Sequence, residues 1–526
     1  MLSSRISSSR NLHYFFYSSI RHASSVTRQL HPAVRQLASE LGQKQPAFAV
    51  SPNDVHVLKQ PSEFYSRLLE MIQRAERRIF LSSLYIGSSE GELVENLEKA
   101  LRHKESLHLY FQLDLNRSTR PGASSTAKIL LPLLQTYPDR VHASFFRSPN
   151  LRGIMAKVVP PRFNEGWGTW HAKIYGADDD VMISGANLNK SYFTNRQDRY
   201  LSFMNQRILS QYCFDFLRTV SDFSYQLLPS SDAKPDLGPH SFTGDGYTMF
   251  WPDFNTHPHH IHKKAEKAFT DFQHSYRQRS LPEGSEGGEK VMMFPIIQAG
   301  QFNVREEEQA MDILFRHANG QSSAEKKIEE RPLIDFTSGY FGLYKPYQDL
   351  VLRSRNVDVR IVAASPKANG FYGSKGISGR IPEGYTLLEQ RFMKAVARAG
   401  RFWKESTGVQ LLEWLKDGWT YHAKGLWFSP NASSHPVLTL FGSTNLNSRS
   451  SHIDTELSFV MILPSEQQNT DSQQKATELA NGITTLQAQL ADEVANIRAN
   501  AHEWKGDKRK VRLGTKLLVA VVGKML

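Results

Sequence analysis

Residues 170–189 read "WHAKIYGADDDVMISGANLN". They place His171, Lys173 and Asp178 in an H-x-K-x4-D pattern, with Gly185, Asn187 and Asn189 following. The alternating, β-prone residues predict a strand that carries both His171 and Lys173. Residues two apart on a strand share a face, so imidazole and ammonium would enter one cavity. The small residues of the following turn allow backbone N–H groups to approach an anion.

The pattern occurs twice. Residues 421–459, "YHAKGLWFSPNASSHPVLTLFGSTNLNSRSSHIDTELSF", repeat it with His422 and Lys424, then Gly442, Ser443, Asn445 and Asn447. In each copy an acid, Asp198 or Glu456, stands eleven residues after the first Asn and precedes an apolar run. Upstream, "RRIFLSSLYIGSSEGELVENLEKALRHKESLHLYFQLD" (77–114) matches "RPLIDFTSGYFGLYKPYQDLVLRSRNVDVRIVAAS" (331–365). Both read strand, turn, amphipathic helix, strand. The fold class expected is α/β: two similar domains of mixed sheets flanked by helices, over 50–230 and 290–465, sharing one pseudo-two-fold active site. A Pro/Gly/His-rich connector spans 231–289. Residues 466–503 predict a C-terminal helix packed on the second domain, within a 466–526 tail.

Two imidazoles, two ammonium groups and two carboxamides facing one another suit a phosphodiester. Lys173 and Lys424, with Asn187, Asn189, Ser443, Asn445 and Asn447, would bind the phosphate oxygens. One neutral histidine can attack phosphorus, and the other, protonated, can donate to the leaving oxygen. Asp198 and Glu456 would each hold an imidazole through its second nitrogen. The cations are built in, so the reading needs no metal and no cofactor.

The 526 residues carry a net charge of +12, a balance that favours an anionic partner. Residues 1–39 hold five Arg, ten Ser and no acid, the composition of a mitochondrial transit peptide. A single cysteine, Cys213, excludes an intrachain disulfide and a cysteine-based zinc site. No GxxxxGK[ST] occurs, so no ATP site is implied. The four histidines of "HPHHIHKK" (257–264) lack an acid or Cys to complete a metal set. Residues 505–526, "KGDKRKVRLGTKLLVAVVGKML", read either as a peripheral anchor on an anionic membrane or as a buried terminal element. Aromatic platforms and long basic tracts for nucleic acid are not evident. A homo-oligomer is compatible with the sequence, which does not fix the oligomeric state.

The doubled motif resembles the phospholipase D superfamily over roughly residues 50–465. The second copy departs from it, since Ser429 stands where an Asp would complete the pattern. "LDLNRSTRPG" (113–122), "FPIIQAGQFNVREEE" (294–308) and "GWTYHAKGLW" (418–427) further resemble the eukaryotic mitochondrial phosphatidylglycerophosphate synthases. That resemblance implies phosphatidyl transfer from CDP-diacylglycerol to glycerol 3-phosphate, releasing CMP, on the matrix side of the inner membrane. It makes His171 the nucleophile, His422 the acid and base, and Lys173, Asp178, Lys424, Asp198 and Glu456 their catalytic companions. Arg117, Arg120, Arg162, Lys367, Lys404 and Arg449 flank the motifs as candidate phosphate ligands. A phosphatidylserine or cardiolipin synthase of the same superfamily, or a phosphodiesterase, would use the same pocket.

Overall fold

The structure is a computed structural model, and it describes residues 30–122, 125–230, 237–279, 290–320, 327–464 and 475–523. The duplication seen in sequence is a duplication of topology. In the first half, strands Arg78–Ser82, His108–Asp114 and Val141–Phe146 pair in parallel. Ile174–Ala177 joins Arg78–Ser82 antiparallel, and Asp180–Ser184 and Tyr200–Phe203 continue outward. In the second half, Leu333–Ser338, Asp358–Ala364 and Val409–Trp414 form the parallel part. Lys424–Ser429, Leu438–Gly442 and Glu456–Ile462 form the antiparallel part in the same order. The innermost strands are buried on both faces, as "RIFLS" and "LIDFTS" require.

Helices cover the sheets with single apolar stripes. Gly91–His103 buries Leu93, Leu97, Ala100 and Leu101, a one-face spacing. Its first turn carries Glu92 and its last turn Arg102 and His103, so the charges oppose the helix dipole.

Three boundaries differ from the sequence reading. The segment assigned to a transit peptide, 1–39, overlaps a folded helix, Pro32–Lys44. Val34, Leu37, Ala38 and Leu41 of that helix join the second half's core with Met311, Leu314 and Phe315. Apolar residues at i, i+3, i+4 and i+7 had a core to enter; residues 1–29 lie outside the described residues. The described part of the connector, 237–279, packs with the first half. Phe242–Thr243 and Tyr247–Phe250 extend the first sheet, and Phe269 and Phe272 of helix His262–Arg279 reach its core. Within that segment His257 caps a short helical turn by accepting the His259 N–H.

The C-terminal helix, Lys475–Arg498, spans the junction of the halves instead of resting on the second alone. Gln489 accepts the Val57 N–H, and Asp492 pairs with Lys59 at 2.9 Å. Glu493 is the reason for this position. It takes both arms of Arg199 at 2.9 Å and the Trp427 Nε1–H at 2.9 Å. The Arg199 guanidinium lies over the Trp427 ring and donates to Thr439 Oγ1 and the Leu440 carbonyl. One buried ion pair thus ties together the first half, the second half and the last long helix. Removing one partner of such a pair strands the other charge and costs about 3–5 kcal/mol. Glu493→Ala should therefore lower the unfolding free energy by about that amount in chemical denaturation, and a loss under 1 kcal/mol would show the pair is not a fastener.

Candidate active site

The site forms where the two sheets meet. His171 and His422 stand just ahead of their strands, whose regular pairing begins at Ile174 and Lys424. The strand anticipated through His171 is thus replaced by a loop stretch over 171–173. The reason lies across the interface: the His171 N–H donates to the Thr455 carbonyl, and the His422 N–H to the Gln197 carbonyl. Each histidine backbone is bonded to the opposite half.

Their side chains cross in the same way. His171 Nδ1 lies 2.9 and 3.0 Å from the two oxygens of Glu456. His422 Nδ1 lies 2.6 Å from Asp198 Oδ2. A carboxylate at Nδ1 holds the proton there and leaves Nε2 for chemistry. Ser450 steadies Glu456 with a 2.7 Å hydrogen bond, and the Arg199 N–H steadies Asp198 at 2.9 Å. Gly185 sits between the halves, where an added Cβ would fall 2.4 Å from Asp198 and 2.5 Å from Lys424 Nζ. Gly168 is equally constrained, against the Ile453 carbonyl of the second half. These glycines are what allows the halves to close on the site.

All four motif side chains are buried, and burial governs their charge. It pushes Lys173 down to about 7 and Lys424 down to about 8. It also lowers both histidines, His422 furthest, with Lys424 adding to the effect and Asp198 opposing it. Burial works against the anionic form of Asp198, but Lys424 and His422 outweigh it and keep its acidity below the ordinary range. The same balance, through His171 and Lys173, holds Glu456 ionised. Burial thus favours the neutral form of both imidazoles in the unliganded site, Lys173 and Lys424 adding to it and Glu456 and Asp198 opposing it.

The other anticipated residues divide. Asn445 keeps a buried carboxamide oxygen without a partner, so its side chain is uncommitted. Asn187 donates to the Tyr192 hydroxyl at 3.0 Å, and that hydroxyl lies 3.5 Å from His422 Nε2. Ser443 is bonded into strand Glu456–Ile462 through the Leu457 N–H. Asn189 and Asn447 do not reach a phosphate position; they cap the helices Lys190–Thr194 and Ser448–His452. Asp178 leaves the site altogether. It adopts φ 51° in the turn after Ile174–Ala177 and accepts the N–H groups of Glu76, Arg77 and Arg78. A short acidic side chain tolerates this backbone and fills three orphan donors, so its role is to hold the turn.

The flanking cations are mostly neutralised. Arg117 and Arg120 both turn to Glu165, Arg449 lies 2.8 Å from Asp454, and exposed Lys404 pairs with Glu405. Lys367 is exposed, and the Arg162 side chain lies outside the described residues. Two neighbours of His422 went unread in the sequence, Tyr192 and Tyr340, whose rings stand edge-on to it at 5.2 and 5.3 Å.

Over 470 residues the chain is 35% identical to the CDP-diacylglycerol–glycerol-3-phosphate 3-phosphatidyltransferase of Schizosaccharomyces pombe, covering 82% of this chain and 89% of that one. The chain belongs to the CDP-diacylglycerol–glycerol-3-phosphate 3-phosphatidyltransferase family. The mitochondrial relative of Mus musculus is 35% identical over 471 residues, 84% of this chain and 80% of its own. A probable member from Dictyostelium discoideum is 34% identical over 500 residues, 93% and 80% of the two chains. No protein-family model matches. Among solved structures, a phosphatidylserine synthase of Haemophilus influenzae superposes with a TM-score of 0.62 at 18% identity, over 94% of this chain and 98% of that one. That likeness concerns the fold, the doubled α/β arrangement anticipated from the phospholipase D pattern.

The titration of the site sets its pH dependence. With His171 as the nucleophile expected from the sequence, its protonation below its lowered pKa would make the rate fall. With Lys173 and Lys424 as the expected phosphate ligands, their loss of charge as pH rises through about 7 to 8 would make the rate fall again. The kcat/KM profile should be a bell whose alkaline limb lies near 7–8. Bound anionic donor stabilises both ammonium groups, so the alkaline limb of kcat should lie higher. Coincident alkaline limbs would contradict this assignment.

Proposed function

We propose that the chain carries out its family's transfer, from CDP-diacylglycerol to glycerol 3-phosphate, by two displacements at one phosphorus. The observation that carries the mechanism is the crossed pairing of His171 with Glu456 and His422 with Asp198. In the first step His171 Nε2 attacks the phosphatidyl phosphorus; the P–N bond forms and the bond to the CMP oxygen breaks. The donor's negative charge raises the proton affinity of His422, which enters this step as imidazolium and gives its proton to CMP. In the second step neutral His422 takes the proton of an acceptor hydroxyl, whose oxygen bonds to phosphorus as the P–N bond breaks. Lys173, Lys424 and Asn445 stabilise the phosphoryl oxygens in both steps.

His171, Asp454 and Glu456 lie close enough to suggest a metal set. Their donors are spoken for: Glu456 by His171 and Ser450, Asp454 by Arg449 and the Thr169 N–H. A dication there would also face Lys173. The proposed chemistry is therefore independent of metal and cofactor. Wild-type enzyme should release CMP and form phosphatidylglycerophosphate in EDTA. His171→Ala should lose at least 10³-fold in rate, while His422→Ala should accumulate an acid-labile phosphohistidine readable by ³¹P NMR. Full activity in His171→Ala would end the covalent reading.

We place the enzyme in the mitochondrion, peripheral on the matrix face of the inner membrane. No helix among the described residues is long and apolar enough to cross a bilayer. Helix Leu513–Val522 buries Thr515 and Val519 and exposes Leu513, Leu517 and Val521, beside exposed Lys508, Lys510 and Lys516. It therefore combines the two sequence readings, a buried face and a free apolar face next to cations. The triple change Leu513→Glu, Leu517→Glu, Val521→Glu should weaken binding to cardiolipin-containing vesicles at least tenfold in a flotation assay; unchanged flotation would remove this helix from the contact.

A further inference from the structure

The two halves match position for position around their histidines, and at one matched position they carry opposite charge. Residues 196–198 and 454–456 occupy equivalent places. Gln197 and Thr455 accept the histidine N–H groups, and Asp198 and Glu456 hold the rings. The first residue of each triplet faces a threonine two positions before the histidine. Asp454 accepts the Thr169 hydroxyl at 2.9 Å, whereas Arg196 donates its Nε–H to the Thr420 hydroxyl at 2.9 Å.

The electrostatic outcome differs on the two sides. Asp454 is neutralised by Arg449. Arg196 has no carboxylate within ion-pair distance among the described residues, and is half-buried against the Tyr192 ring at 4.5 Å. Arg117, in a comparable setting over the Tyr85 ring, is answered by Glu165. The short parallel pair of Arg196–Gln197 with Thr420–Tyr421 fixes Arg196 relative to His422. Its outer end opens on Gly370, which is exposed; a Cβ there would lie 3.0 Å from the Tyr340 hydroxyl and 3.2 Å from Arg196. A guanidinium nitrogen and a phenol hydroxyl therefore both face the place that a side chain at the exposed position 370 would fill, on the His422 side.

We infer that Arg196, with the Tyr340 hydroxyl across the Gly370 gap, binds the phosphate monoester of the acceptor. This rests on the proposed mechanism, in which the acceptor hydroxyl approaches His422. A planar fork of donors suits a phosphate dianion, and a phenol adds a neutral donor beside it. The leaving CMP carries a phosphate to the same side, so the two sources need separating. A polyol without phosphate has nothing to offer this pair, and Arg196 makes the acceptor's charge a condition of selection.

The test compares acceptors on full-length protein in vesicles holding CDP-diacylglycerol. The readout is the ratio of kcat/KM for glycerol 3-phosphate to kcat/KM for glycerol. Arg196→Gln should lower that ratio at least tenfold, and Arg196→Lys should recover part of it. Gly370→Ala narrows the gap without touching a charge, and should raise KM for glycerol 3-phosphate more than for glycerol. Exchange of labelled CMP into CDP-diacylglycerol, run in parallel, reports the donor side. An unchanged ratio in Arg196→Gln overturns the assignment, as does a fall confined to CMP exchange. Failure of the wild-type chain to make phosphatidylglycerophosphate at all would instead reject the proposed reaction.

Discussion

Each of the two motif histidines is oriented by a carboxylate from the opposite half. His171 depends on Glu456 and His422 on Asp198, and each histidine backbone is bonded to the opposite half as well. Neither half contains a finished catalytic group. The rest of the architecture serves that crossing: two sheets of the same topology, glycines at 168 and 185 that let them close, and a C-terminal helix pinned across the seam by Glu493. Burial makes the arrangement demanding. Four ionisable motif side chains share a dry space, and they tolerate it by lowering the basicity of the cations and keeping the carboxylates charged.

Much of this was legible in the sequence because chemistry and periodicity coincide in it. Two H-x-K patterns with matched strands before and after them define a duplicated α/β fold, and the acids at 198 and 456 announce imidazole partners. The limits were those of a one-dimensional view. Asp178 lies within seven residues of His171, yet a left-handed turn at its own backbone sends it to cap Glu76–Arg78. Asn189 and Asn447 have the right type for a phosphate and the better position for a helix cap. The helix at 32–44 was hidden by its basic, serine-rich neighbours, although its i, i+3, i+4, i+7 spacing was there to find.

Charge was the property read least well. Net positive charge pointed to anionic partners, but the arginines nearest the motifs in sequence are largely answered by Glu165 and Asp454 in space. Arg196, without a carboxylate at ion-pair distance among the described residues, stood in plain view two residues before Asp198. Its signal was a change of sign between repeats, Arg196 against Asp454, at a place where the repeats otherwise agree. In a duplicated enzyme the likeness marks the shared chemistry, and the mismatch marks where the two sides of the reaction differ.

The Arg199–Glu493 pair joins residues 294 positions apart. Synthesis runs from one end of the chain to the other, so the arginine is made long before its partner. Until residue 493 arrives, the seam between the sheets holds a guanidinium with no counter-charge, and closing over it is unfavourable. The seam that holds the two motif histidines is thereby tied to the last long helix. A chain cut short between Ile462 and that helix keeps the paired strands of both sheets and still lacks the fastener that brings their histidines and carboxylates together.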